Sequence, residues 1–267
     1  MKEQALAQVK NRPPAVDGVN VLREYLQARV LTGLQQAGAF IPLAFMGGTA
    51  LRFLYRVPRF SEDLDFTLER DAEGFDFETL LERVERSLVR EGYVVTVKLN
   101  TRATVVKAMI GFPGLLGEAG LSPHADQHLR IRLEVDTGPP AGAGLAVSTI
   151  NRFGILRIQH HDMPSLFAGK VAAVLAREYT KGRDYYDLFW YLSREPKLEP
   201  NIDLLRNALQ QTAPELAMRA AEDWRRALAG RFDSTDWADA RRDVAPFLEH
   251  AGEGAMIDRE TFEALLT

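Results

Sequence analysis

The chain contains no cysteine in 267 residues. That absence excludes disulfide bonds, Cys-ligated zinc and thiol catalysis. It also lacks an excess of either charge: 33 Lys and Arg stand against 37 Asp and Glu, for a net charge of −4. Contact with nucleic acid therefore has to come from a local cluster of cations rather than from the chain as a whole. No apolar run approaches the roughly 20 residues that span a bilayer. The first residues lack the basic-then-apolar pattern of a signal peptide, so the expectation is a cytoplasmic protein with no membrane partner. Repeats and low-complexity segments are missing too. The hydrophobic fraction of 46% is ordinary for a globular chain, which rules out disorder and leaves ample sequence for a core.

The most informative stretch is Phe45 to Leu68, FMGGTALRFLYRVPRFSEDLDFTL. The short apolar run Ile41–Phe45 reads as a buried strand that stops at Gly47-Gly48. Thr49 starts a helix whose Leu51, Leu54 and Tyr55 share a face. Paired glycines before a helix let a ligand approach the backbone, and the helix N-terminus offers N–H groups to an anion. After a turn at Pro58, Asp63-Leu64-Asp65-Phe66 alternates as a strand, with both carboxylates on one side and the apolar pair in the core. Ser61, two residues before Asp63, falls on the carboxylate side. Two carboxylates facing an anion-binding turn suit a metal-dependent transfer of a nucleotide phosphate, because Mg²⁺ bridges carboxylates to phosphate oxygens.

Around this stretch the chain divides into an N-terminal helical segment (1–40), an α/β core (41–162) and a helical C-terminal region (163–267). Lys2 to Lys10 and Val19 to Ala37 read as helices, broken at Asn11-Arg12-Pro13-Pro14. A helix is expected between Asp71 and Gly92 with Asp76 as its N-cap. Tyr93–Leu99 and Ala103–Phe112 read as strands. Pro113–His128 is a Gly-, Pro- and His-rich loop or lid, and its His124 and His128 lack a third ligand for a metal. Leu129–Thr137 alternates cleanly, placing Arg130, Arg132, Glu134 and Asp136 on one face. That face supplies either a further carboxylate to the site or an ordinary solvated set of Arg–Glu pairs. Val147–Ile158 closes the α/β portion.

Lys170 sits inside an otherwise apolar helix. It is either a snorkelling surface lysine or a point charge for phosphate. Arg183, Asp184 and Asp187 follow. The two aspartates are three apart and share a helical face, unless Asp184 is an N-cap or Asp187 pairs with Arg183 across a turn. The basic residues beyond Ile202, among them Arg225, Arg231 and Arg242, alternate with acidic ones and read as a mixed solvated face.

The glycine pair, helix and Asp-x-Asp strand resemble the nucleotidyltransferase fold of the DNA polymerase β superfamily. The fuller wording GGTAL…RFSEDLDF, with the later AGKVAAVLAR…KGRDYYDLFWYL (Ala168 to Leu192), is similar to the AbiEii/AbiGii-type nucleotidyltransferase toxins. The resemblance implies an α+β fold: a polymerase-β-like mixed sheet with flanking helices plus a helical C-terminal region. It implies an NMP moved from an NTP to an acceptor hydroxyl, with pyrophosphate released. The implied metal is one or two Mg²⁺ ions, replaceable by Mn²⁺, on Asp63, Asp65 and Glu134. Gly47, Gly48, Thr49 and Ser61 are then expected at the phosphates, with Arg59 and Lys170 adding positive charge and Asp184 fixing Lys170 or the nucleotide. Glu134 matches the third carboxylate of the family, with Asp136 second; Asp187 and Arg183 are the reserve choices in the later signature. The implied acceptor is the 3′ end of tRNA, and the implied setting is a toxin–antitoxin and phage-defence (abortive infection) system with a cognate antitoxin. Nucleotidylation of a protein side chain is the alternative acceptor chemistry, and a catalytically silent nucleotide-binding module is the alternative outside enzymes.

Overall fold

The computed structural model describes residues 1–13, 16–69, 75–124 and 127–267. Pro14 of the expected helix break, Asp71 at the expected outer limit of a helix, and residues 125–126 of the Gly/Pro/His-rich stretch lie outside the described residues. The chain forms two compact units. The first comprises Met1–Arg56, Phe60–Gly138 and Val147–His160; the second comprises Val57–Arg59, Pro139–Ala146 and His161–Thr267.

The first unit begins with α1 (Lys2–Lys10) and α2 (Gly18–Gln36). The Asp17 carboxylate accepts from the Asn20 N–H and starts α2, as a short polar side chain does at an N-cap. Then come β1 (Leu43–Met46), α3 (Gly47–Tyr55), β2 (Leu64–Leu68) and α4 (Phe77–Arg90). Asp76 caps α4 through the Thr79 N–H, and Phe77, Leu80, Leu81, Val84 and Leu88 form its buried stripe. The remaining elements are β3 (Thr96–Asn100), β4 (Val105–Phe112), the single turn α5 (Leu115–Glu118), β5 (Leu129–Asp136), β6 (Leu145–Asn151) and β7 (Ile155–His161).

The seven strands make one mixed sheet in the order β3-β4-β5-β2-β1-β7-β6. β1 runs antiparallel to β2 and parallel to β7, whereas β2 runs parallel to β5. In β5 the burial alternates: Leu129, Ile131, Leu133 and Val135 are buried and Arg130 and Arg132 exposed, the pattern of a strand with one core face. Phe45 of β1 stacks on Phe66 of β2 with centroids 5.1 Å apart.

Two local expectations are corrected. Ile41 is 66% exposed, so the buried strand starts only at Leu43. The glycine pair opens α3 itself instead of preceding it. The region 147–158 that closes the α/β portion holds parts of two strands, β6 and β7, because the chain turns at Phe153 and Gly154, both at positive φ.

The second unit is helical: α6 (Met163–Ala176), α7 (Gly182–Leu192), α8 (Ile202–Thr212), α9 (Pro214–Glu222), α10 (Trp224–Phe232), α11 (Trp237–Val244) and α12 (Arg259–Leu266). Asp162 caps α6 by accepting from the Ser165 N–H. At Gly182 the main chain meets the Ala240 carbonyl so closely that a Cβ has no room, which sets α7 directly against α11. Tyr185, Phe232, Trp237 and Phe262 form an aromatic core with centroid separations of 5.2 to 6.4 Å. Among the described residues no helix is long and apolar enough to cross a membrane.

Candidate active site

In the first unit the carboxylate strand and the glycine turn are brought together by register. Met46, the last residue of β1, is the cross-strand partner of Asp65. The next residue, Gly47, has φ +76°, and a Cβ placed on it would lie 2.5 Å from Asp65 Oδ2. Only glycine meets both conditions, since the left-handed backbone and the nearby carboxylate each disfavour a side chain. On the other flank, Asp65 is the partner of Glu134 across the parallel β2–β5 pair. Cross-strand partners share a face, so both carboxylates stand on the polar side of the sheet. Leu64 and Phe66 lie in the core, as their alternation requires.

The approach to this strand is held at several points. The Thr49 hydroxyl donates to the Asp63 carbonyl, and Thr49 is wholly buried. Its hydroxyl is thus engaged with the main chain at Asp63, a contact that the sequence reading did not include. From α2, the Gln27 amide donates to the carbonyls of Ser61 and Glu62 at 3.1 and 3.0 Å. Arg52 of α3 pairs with Glu24 at 2.6 Å and lies over the Phe60 ring at 4.6 Å. Glu24 also receives Arg152 at 2.7 Å.

Two cations interleave with the carboxylates. Lys107 of β4 lies 3.1 Å from Glu134. Arg132 lies 3.7 Å from Glu134 and 3.9 Å from Asp63. Both are half exposed, so each pair contributes about 1 kcal/mol or less, yet together they offset repulsion among the acids. Asp136, the second-choice third carboxylate, accepts from the Gly138 N–H at 3.0 Å and ends its strand as a turn residue.

Among the described residues, no group of three or more acidic, histidine or cysteine side chains is gathered tightly enough to hold a metal by itself. His124 and His128 join no such group. The donor chemistry at Asp63, Asp65 and Glu134 nevertheless fits magnesium. It is all oxygen, it borders a turn kept clear by Gly47, and Mg²⁺ ordinarily completes its shell with water and substrate phosphate.

In the second unit, Lys170 of α6 reaches Asp184 at 3.0 Å and Asp187 at 2.8 Å, both on α7. Arg59 donates to Asp187 from Nε at 2.6 Å and from Nη2 at 2.5 Å, a fork-to-carboxylate pair. Arg177 closes the set by donating to Asp184. Asp187 has no exposed surface and the Arg59 side chain 2%. Burial pushes the Asp184 carboxyl up, but Lys170, Arg177 and Lys181 outweigh it and bring its pKa down to about 2. Burial pulls the Lys170 ammonium down, and Asp187 and Asp184 more than reverse this, so its pKa is raised.

This network corrects several expectations. Arg59, expected to add positive charge at the phosphates, is held by Asp187 in a buried pair. Lys170 is no snorkelling lysine. Asp184 is not an N-cap, since α7 begins two residues earlier at Gly182. Asp187 answers Arg59 and Lys170, while the Arg183 guanidinium lies 4.2 Å above the Phe247 ring. Arg177 was missed: it lies just past the end of α6 in extended backbone, so no helical period tied it to Lys170. Lys107 was missed as well, and only strand register could have found it.

A family model described as "Nucleotidyl transferase AbiEii toxin, Type IV TA system" matches residues 29–267. Among solved structures, MenT4, the nucleotidyltransferase toxin Rv2826c from Mycobacterium tuberculosis H37Rv, is 18% identical with a TM-score of 0.57, over 100% of this chain and 89% of that one. JHP933 from Helicobacter pylori is 20% identical with a TM-score of 0.52, over 92% of this chain and 91% of that one. At these identities the likeness concerns the fold. None of the curated proteins matches the sequence.

Proposed function

The chain belongs to the AbiEii family of nucleotidyltransferase toxins of type IV toxin–antitoxin systems, and from that premise we propose a Mg²⁺-dependent transfer of an NMP from an NTP to the 3′-hydroxyl of tRNA, which blocks translation. An NTP substrate and an antitoxin partner follow from the family. The observation that carries the metal-dependent reading is the pairing of Asp65 with Glu134 beside the Gly47 turn.

In the proposed reaction the acceptor oxygen forms a bond to the α-phosphorus while the α–β bridging bond breaks and pyrophosphate leaves. Magnesium bound at Asp63, Asp65 and Glu134 would neutralise triphosphate charge and acidify the acceptor hydroxyl. Glu134 is placed in the role of base, taking the hydroxyl proton on a carboxylate oxygen. Gly47 and Gly48 present main-chain N–H groups at the start of α3, where an anion is favoured. Ser61, two residues ahead of Asp63 on a segment fixed by Gln27, is assigned to phosphate as well. Lys170 and Asp184 enter through the family signature that they occupy, with Lys170 kept protonated by its two aspartates.

The proposal is tested by following pyrophosphate release from each NTP with total tRNA present. Release should require Mg²⁺ or Mn²⁺, stop on EDTA addition and disappear in Asp65→Asn. Undiminished release in EDTA, or in Asp65→Asn, would rule out the metal assignment.

A further inference from the structure

The polar face of the sheet carries a second feature beyond the carboxylates. Cross-strand partners place Asn100, Lys107, Glu134 and Asp65 in one row from β3 to β2. The neighbouring row pairs Lys98 with Met109 and Arg132, and the next ends at Arg130. Lys98, Lys107, Arg130 and Arg132 are all exposed. β3 and β4 contribute no acidic side chain; the acids of this face stand only on β5 and β2. The result is a cationic field about 10 Å wide, two inter-strand steps from β3 to β5, which ends at the carboxylates.

We propose that this face of β3-β4-β5 docks the acceptor RNA strand, its phosphates running over Lys98, Arg130, Arg132 and Lys107 toward Glu134 and Asp65. The proposal rests on the RNA acceptor of the preceding subsection and names the surface that holds it. Charge complementarity selects the occupant. A chain with net charge −4 gathers four cations on one sheet face; Lys107 and Arg132 pair with the carboxylates at its inner end, and Lys98 and Arg130 extend the charge outward, where phosphate contacts are what such cations serve. A protein partner is disfavoured because the patch lacks an apolar centre: only Val105 and Met109 are apolar there, each half-buried, whereas protein interfaces are built on a buried apolar core.

The test uses Lys98→Gln/Arg130→Gln, two positions away from the carboxylates. Binding of the full-length protein to a fluorescein-labelled single-stranded RNA with a free 3′-hydroxyl is followed by anisotropy over a range of salt. Loss of two phosphate contacts should weaken binding about tenfold near 0.15 M salt and reduce the salt slope by about 1.4. NTP affinity, measured by calorimetry, and Tm should stay as in wild type. Unchanged RNA affinity and slope in the variant, with wild type still labelling RNA, would overturn the docking face and leave the transfer reading intact. Wild type that neither binds nor labels RNA would remove the RNA acceptor and the docking face with it. A variant that keeps RNA binding but no longer binds an acidic polypeptide such as polyglutamate would overturn the RNA assignment in favour of a protein contact.

Discussion

Replacing Asp187 by Asn removes one charge from the centre of the second unit's ion network. In the native arrangement Arg59, Lys170 and Arg177 answer Asp184 and Asp187. The variant leaves three cations and one carboxylate, with Arg59 almost wholly enclosed. Removing one member of a buried pair costs about 3–5 kcal/mol. For a chain of this size each kcal/mol moves Tm by about 2–4 °C, so a fall of roughly 6–20 °C is expected in a calorimetric scan. Arg59→Met breaks the same pair from the other side. Because both substitutions act on one contact, the double variant should lose less than the two single losses together, by about 0.5–3 kcal/mol. A fall below about 2 °C in Asp187→Asn, or strict additivity in the cycle, would refute the claim that the buried Arg59–Asp187 pair holds the fold.

Other consequences are equally open to measurement. Asp184 has its pKa lowered from 3.8 to about 2, so it contributes stability of about 2 kcal/mol. That contribution is present above about pH 4 and is lost as pH falls through 2. Asp184→Asn should therefore flatten the acid limb of a Tm-versus-pH curve. Lys170 works in the opposite sense: its raised pKa adds stability present below 10.5, lost as pH rises through the folded value. Gly47→Ala forces a left-handed alanine, costing about 1–2 kcal/mol, and drives a methyl against the Asp65 carboxylate. Its transfer rate should fall more than its Tm suggests, and a rate equal to wild type would show that the turn is not tied to Asp65. Thr49→Val removes the donor to the Asp63 carbonyl and should cost about 1 kcal/mol, whereas Thr49→Ser should preserve both stability and transfer.

Much of this organisation was legible before the fold. The alternation in Leu129–Thr137 and the stripe after Asp76 gave the faces and the cap that β5 and α4 adopt. The two carboxylates of Asp63–Phe66 were separable from the core residues by period alone. What escaped was long-range pairing. Arg59 and Asp187 lie 128 positions apart, and no local period links them, so Arg59 read only as positive charge for the phosphates. Thr49 looked like a phosphate ligand because helix starts often offer hydroxyls to anions; its complete burial redirects that hydroxyl to the main chain of Asp63. Register also sets Lys107 beside Glu134 and Arg132 between Glu134 and Asp63, which no local period shows.

The central claim is that the carboxylates beside Gly47 transfer a nucleotide to RNA. The most direct measurement incubates the protein with Mg²⁺, total tRNA and each α-³²P-labelled NTP in turn, then separates RNA from protein on a denaturing gel, with Asp63→Asn alongside. The account predicts label at the 3′ end of a tRNA-sized band, absent in the variant, whose Tm stays at or slightly above that of wild type. Label confined to protein, or label on RNA that survives in Asp63→Asn, would contradict it.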